Sequence, residues 1–149
     1  MLTTQEVTGE QVVEFLELLR EDSREYLDQT IARMGESWEH FVEIAQQVGK
    51  VYAVYQDGQS AGYYWIEERN VVLHLHGIVV RAEFRGQGIG TTILAKLRNE
   101  YARRMDAIEL GVHDSNARAK ALYERLGYVT VRRLDALGFS VMQLPLEGK

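Results

Sequence analysis

Apolar residues recur along the chain with two periods, and the switches between them predict an order of elements. Residues 2–8 read as a first strand. Residues 9–34 take helical spacing in two pieces, one striped by Val12, Val13, Phe15, Leu16 and Leu19, the other by Tyr26, Leu27, Ile31 and Met34. A turn at Gly35-Glu36-Ser37 leads to a helix from Trp38 to Gln47. Val51–Tyr55 and Ala61–Glu67 are rich in β-branched and aromatic residues, and Asp57-Gly58 between them is a hairpin signal. A third strand, Val71–Val80, precedes a long helix from about Gly88 to Arg104, striped by Ile89, Ile93, Leu97 and Tyr101. Ala107–Val112 reads as a strand, Asn116–Leu126 as a helix capped by Asp114 or Ser115, and Tyr128–Arg132 and Gly138–Leu144 as closing strands. No repeat or linker interrupts the 149 residues, so one domain spanning 1–149 is expected. Its fold class is α/β (α+β), with a mixed, mostly antiparallel central sheet flanked by helices.

Between the third strand and the long helix lies Arg85-Gly86-Gln87-Gly88-Ile89-Gly90-Thr91. A strand, a glycine-rich turn and a helix start make an anion site, because free N–H groups at a helix N-terminus point into the turn. Glycine keeps side chains away and permits positive φ. A phosphate or pyrophosphate is the expected ligand. Two nucleotide motifs are excluded: a third glycine for G-x-G-x-x-G would fall at Thr91, and a P-loop lysine does not appear before Lys96.

Composition narrows the chemistry. With no cysteine there is no disulfide framework, no cysteine-ligated metal site and no thiol nucleophile. The N-terminus lacks a basic and then apolar leader pattern, and no apolar run approaches a membrane span, so a soluble cytoplasmic protein is expected. Net charge is −5, split between 14 acidic and 5 basic side chains in residues 1–70 and 8 acidic and 12 basic in residues 71–149. Such a bipolar chain suits a phosphorylated cofactor at one half and a cationic substrate at the other. Without a long basic run it is a poor nucleic-acid binder.

A second pattern lies in Asn116-Ala117-Arg118-Ala119-Lys120-Ala121-Leu122-Tyr123-Glu124-Arg125-Leu126-Gly127-Tyr128. Asn116 and Tyr123 are two helical turns apart and are expected on one face, with Ala119 giving a ligand room between them. Gly127 is placed as a helix C′ residue.

Together, R-x-x-G-x-G and N-x-x-A-x-x-L-Y-x-x-x-G-Y resemble the GCN5-related N-acetyltransferase (GNAT) family. The resemblance rests on residues 70–130, and the order of elements extends it over nearly the whole chain. It implies that acetyl-coenzyme A is the co-substrate. Its pyrophosphate would lie in the turn that begins at Arg85, on the amides of Gln87, Gly88, Ile89, Gly90 and Thr91, with Gly86 shaping the bend. Its pantetheine arm would pair with Ile78, Val79 and Val80. Asn116 would contact the cofactor beside Ala119, and Tyr123 would be the general acid at its sulfur. The resemblance also implies a bulge near Gly77, whose freed backbone groups would serve the pantetheine and the acetyl carbonyl. A homodimer, with the closing strands as edges, is compatible with it.

The chemistry asks for a base, since an alkylamine is mostly protonated at neutral pH. His74 and His76 flank Leu75 and share a strand face just before Gly77. The His-Leu-His segment is similar to that of arylalkylamine N-acetyltransferases, where two histidines relay protons. Glu67, Glu68 and a water chain remain alternatives. Trp38, Tyr63, Tyr64 and Trp65 are candidates for an aromatic acceptor pocket, and Glu36 and Glu39 for attracting an ammonium group. The expected reaction is direct transfer to a primary amine, of a small molecule or a peptide. The alternative is a non-catalytic acyl-coenzyme A-binding module of the same fold.

Overall fold

The computed structural model describes residues 1–146. Its elements run β1 (Leu2–Val7), α1 (Glu10–Asp22), α2 (Leu27–Arg33), α3 (Trp38–Ala45), β2 (Lys50–Gln56), β3 (Gln59–Arg69), β4 (Val72–Val80), α4 (Ile89–Tyr101), β5 (Ala107–His113), α5 (Ala117–Arg125), β6 (Val129–Leu134) and β7 (Phe139–Pro145). A short 3-10 turn at Ala82–Phe84, absent from the sequence expectation, joins β4 to the glycine turn. The seven strands hydrogen-bond in the order β1-β2-β3-β4-β5-β7-β6. β4 runs parallel to β5, while β1/β2, β2/β3, β5/β7 and β6/β7 are antiparallel, which is the mixed sheet expected. No helix among the described residues is long and apolar enough to cross a membrane.

The chain packs as two compact units. The first comprises Met1–Glu67 and His76–Ala95. In it α1 turns Val12, Phe15 and Leu16 inward, at the i, i+3, i+4 spacing of one helix face. They meet the alternating inward residues Val51 and Ala53 of β2 and Tyr63 and Trp65 of β3. The Phe15 ring lies 5.8 Å from that of Tyr63 and 6.2 Å from that of Trp65. Full burial of such a ring contributes about 1.5–3 kcal/mol. Asp57 and Gly58 both take positive φ, 51° and 84°, as the predicted hairpin turn demands. At Gly62 a Cβ would stand 2.0 Å from the Val79 carbonyl oxygen, so only glycine allows β3 and β4 to approach there.

The second unit comprises Glu68–Leu75 and the chain from Lys96 onward. Here Val72–Leu75 of β4 pair with Ala107–Leu110 of β5, and β5 pairs along its length with β7. Ile108, Leu110, Val141, Met142 and Leu144 are buried. Helix α5 ends in a Schellman turn: Tyr128 N–H donates to the Tyr123 carbonyl at 3.0 Å and Gly127 N–H to that of Glu124 at 3.1 Å. Gly127, at φ 100°, is the C′ residue the sequence placed there.

One local expectation is corrected. The cap of α5 is Asn116, not Asp114 or Ser115; its side-chain oxygen accepts from Ala119 N–H at 3.2 Å. Asp114 instead pairs with Arg133, whose guanidinium holds that carboxyl below its ordinary range. Near Gly77 the alternation of β4 is interrupted: the His76 ring stacks on Trp65 of the α1-facing core, and the next residue, Gly77, also faces α1. Register shifts fall at Val54/Tyr55 and Thr130/Arg132. Gly77 also has a packing reason to be small: a Cβ there would meet Leu19 at 3.3 Å and Phe15 at 3.5 Å, beneath α1.

Candidate active site

In the first unit the glycine turn has the geometry of an anion cradle. Gly86 and Gly88 take φ of 80° and 76°, which side-chain-bearing residues avoid. Ile89 is buried and anchors the start of α4. Thr92 closes the first turn, its N–H and hydroxyl both donating to the Gly88 carbonyl, at 3.0 and 2.9 Å. The N–H groups before it lack helical acceptors and face outward. Gly90 needs no special φ, and a Cβ there would meet nothing within 4 Å. Its smallness keeps open the space directly over the helix N-terminus, so the residues present fit a pyrophosphate. Gln87 and Thr91 flank that space, exposed.

Arg85 makes two contacts within the protein. Its Nη2 donates to Asp22 at 2.8 Å and its Nε to the Val80 carbonyl at 3.1 Å, which ties the end of α1 to the end of β4. A cavity of 490 Å³ opens beside this clamp. Val79, Val80, Arg81 and Arg85 line one side and Leu18, Asp22 and Arg24 the other, so it brings together three of the expected cofactor residues. Arg24 and Arg81 carried no sequence signal beyond their charge. Arg81 donates to Glu14 at 2.6 Å and to Ser60 at 3.0 Å.

On β4, His74, His76, Ile78 and Val80 are all half-buried. His76 Nε2 lies 2.9 Å from Glu67 Oε1. The His76 ring stacks on Trp65 with centroids 4.2 Å apart, and Trp65 is fixed by donating to the Val48 carbonyl at 2.7 Å. Glu67 and Trp65 therefore hold the imidazole in one orientation. His74, in the second unit, has its own carboxylate: Nδ1 lies 3.2 Å from Glu109 Oε1, and Gln143 donates to Glu109 Oε2 at 2.9 Å. Burial pushes the Glu109 carboxyl up, but the hydrogen bonds from Gln143 and His74 outweigh it and leave the group below its ordinary value. Glu68 is taken up by Arg104 at 3.0 Å, with the Tyr101 hydroxyl at 3.5 Å.

On α5, Asn116 stands before the helix at φ −99° and ψ 60°, so it does not share a helical face with Tyr123 as expected. Ala119 is half-buried one turn on. Tyr123 is half-buried, its ring 5.6 Å from that of Tyr128 and tilted by 54°.

The aromatic acceptor pocket is not formed as expected. Tyr63, Tyr64 and Trp65 are buried core residues. Tyr63 donates to Glu14 at 2.5 Å, and burial, reinforced by that bond, pushes its phenol up to about 12. Trp38 packs on Phe41 and under the Arg20 guanidinium, 4.4 Å from its ring. Glu36 pairs with His40 on the next turn, while Glu39 is exposed.

Comparison with known proteins gives a consistent result. Residues 12–128 match the model of the acetyltransferase (GNAT) family. An uncharacterised N-acetyltransferase of Methanocaldococcus jannaschii is 40% identical over 68 residues, covering 43% of this chain and 30% of that protein. This chain thus matches under a third of that relative's length. Among solved structures, the ribosomal-protein-S18-alanine N-acetyltransferase of Escherichia coli superposes with a TM-score of 0.69 at 22% identity, covering 100% of this chain and 96% of that one. A GNAT acetyltransferase of Elizabethkingia anophelis with acetyl-CoA bound gives 0.70 at 15% identity, over 97% and 98% of the two chains. These likenesses establish the fold.

Proposed function

Because the chain belongs to the acetyltransferase (GNAT) family, we propose that it is an acetyl-coenzyme A-dependent N-acetyltransferase, passing the acetyl group directly to a primary amine of a small molecule or peptide. The observation that carries this is the turn, where φ of 80° at Gly86 and 76° at Gly88 aims the N-terminal amides of α4 outward, and Gly90 leaves open the space over them. That is a pyrophosphate cradle. The co-substrate, when bound, supplies an activated thioester. The protein's own groups do the rest.

In this reading the amides from Gln87 to Thr91 hold the pyrophosphate, and the backbone of Ile78–Val80 carries the pantetheine. The β4–β5 ladder ends at Leu75↔Leu110, well before β4 ends at Val80, which favours a β4 backbone able to serve a ligand. The same backbone, near Gly77, then offers the N–H donor for charge developing on the acetyl oxygen. Asn116, whose Oδ1 caps α5, has its side-chain amide N–H left to contribute to the cofactor. His76 is the base that takes a proton from the incoming ammonium, oriented by Glu67 and Trp65; His74 with Glu109 extends the relay. Glu68 is left out, engaged with Arg104. Tyr123 gives its proton to the departing sulfur. With no cysteine in the chain, no thiol acyl-enzyme interrupts the transfer. The acidic balance of residues 1–70 favours an acceptor that carries positive charge.

The test is a thiol-release assay with acetyl-CoA and a panel of aromatic amines, polyamines and peptides with free N-termini. At least one amine is expected to be acetylated, and Tyr123→Phe to lower kcat by ~10²–10⁴-fold with cofactor affinity nearly unchanged. Tight acetyl-CoA binding without transfer to any amine would leave a cofactor-binding module instead.

A further inference from the structure

Tyr128, the first residue past α5, is buried at 2% exposure. Its hydroxyl, among the described residues, has no hydrogen-bond partner. Two features of the turn account for the ring and not for the hydroxyl. The Schellman geometry links Tyr128 N–H to the Tyr123 carbonyl at 3.0 Å, and the accompanying C″–C3 contact is the Tyr123–Tyr128 ring pair at 5.6 Å. Phenylalanine would satisfy both. An unpartnered buried hydroxyl costs stability, so its presence calls for a state in which it is paired.

The groups that act on this phenol electrostatically are Tyr123 from α5 and Arg98 from α4. Burial, then Tyr123, pushes Tyr128 well above the ordinary phenol range, so its hydroxyl stays a donor. Resting on the assignment of Tyr123 as the acid, we infer that Tyr128 is a positioning residue whose hydroxyl hydrogen-bonds to the Tyr123 oxygen once that oxygen has given up its proton.

The step balances without another reactant. The Tyr123 O–H bond breaks as the S–H bond of the leaving thiol forms, and the electron pair stays on the Tyr123 oxygen. The Tyr128 O–H bond stays intact and donates to that oxygen. Solvent water then returns a proton to Tyr123. The interaction is absent from the resting enzyme and strongest when charge appears, the condition under which a contact accelerates a reaction and does not merely bind.

The experiment compares wild type, Tyr123→Phe, Tyr128→Phe and the double variant in two readouts. In the first, protein carrying tyrosine labelled at Cζ is titrated by NMR with no ligand, the Tyr123 signal being identified by its loss in Tyr123→Phe. Tyr128→Phe should move the Tyr123 titration to higher pH by roughly half to one unit, the size of one lost hydrogen bond. In the second, kcat is measured with acetyl-CoA and the best amine of the panel. Tyr128→Phe should lower kcat about tenfold, move its basic limb upward in the same direction, and have no further effect in the Tyr123→Phe background. It should also raise the melting temperature. An unmoved Tyr123 titration, or an equal kcat loss in both backgrounds, overturns the inference. Unchanged kcat in Tyr123→Phe, or no transfer to any amine, removes the acid role itself, a failure distinguishable because the ligand-free titration does not depend on it.

Discussion

Replacing Gly90 by alanine separates the stability of the helix from the function of the turn. Gly90 sits in the first turn of α4 outside the left-handed region, and a Cβ there meets no atom within 4 Å. The free protein therefore has no steric reason to resist the change. Alanine is the better helix former by about 0.5–1 kcal/mol, which for a chain of this size raises Tm by about 1–4 °C. The added methyl occupies the space over the helix N-terminus. Moving a phosphate off one charge-assisted hydrogen bond, about 1.5–3 kcal/mol, weakens coenzyme A binding by roughly ten- to two-hundredfold. Thermal melts and calorimetric titration with coenzyme A measure both effects. Gly88→Ala is the contrast: at φ 76° a side chain is strained, at a cost of about 1–2 kcal/mol, so stability and affinity should fall together. A more stable Gly90→Ala protein that binds coenzyme A like wild type would refute the cradle.

Other expectations follow from the packing and the ion pairs. Glu67→Gln keeps a hydrogen-bonding group beside His76 but removes its charge, and should lower kcat about tenfold, whereas Glu68→Gln should leave kcat alone and cost at most about 1 kcal/mol in a denaturant melt. If both variants behave alike, Glu67 does not orient the base. Phe15→Ala empties the centre of the first unit and should cost about 3–5 kcal/mol in urea unfolding; a loss under 1 kcal/mol would contradict the core described. Glu109 has a lowered carboxyl value in the folded chain, so its contribution to stability is present above the unfolded-state value and is lost as pH falls through the folded one. Glu109→Gln should therefore flatten the decline of stability in that acid range, measured as Tm against pH, while an unchanged acid slope would show that the pairs with His74 and Gln143 contribute nothing.

The two periods of the apolar pattern were enough to locate the twelve helices and strands, because inward-facing positions along one element are set by its own geometry. Ile89, Ile93, Leu97 and Tyr101 are all buried, as their spacing requires. The glycines of the turn were equally readable, since φ of 80° and 76° is a demand made by the local chain. Local spacing failed at Asn116. Seven residues from Tyr123 reads as two turns of helix, but the first of the pair caps the helix from outside it. Asn and Ser are near equals as caps, and the neighbouring Arg133–Asp114 pair is invisible to spacing.

By itself the sequence determined the element order, the helix-start cradle and the residue types available for acid and base chemistry. Periodicity, capping and positive φ act over a few residues, and those are written locally. What only the tertiary structure decided is who stands beside whom. His74 meets Glu109 across 35 positions of sequence, Arg85 meets Asp22 across 63, and Tyr63 meets Glu14 across 49. Such pairings depend on strand register and on how a helix lies against its sheet, and a shift of one residue in a strand would turn every side chain to the opposite face.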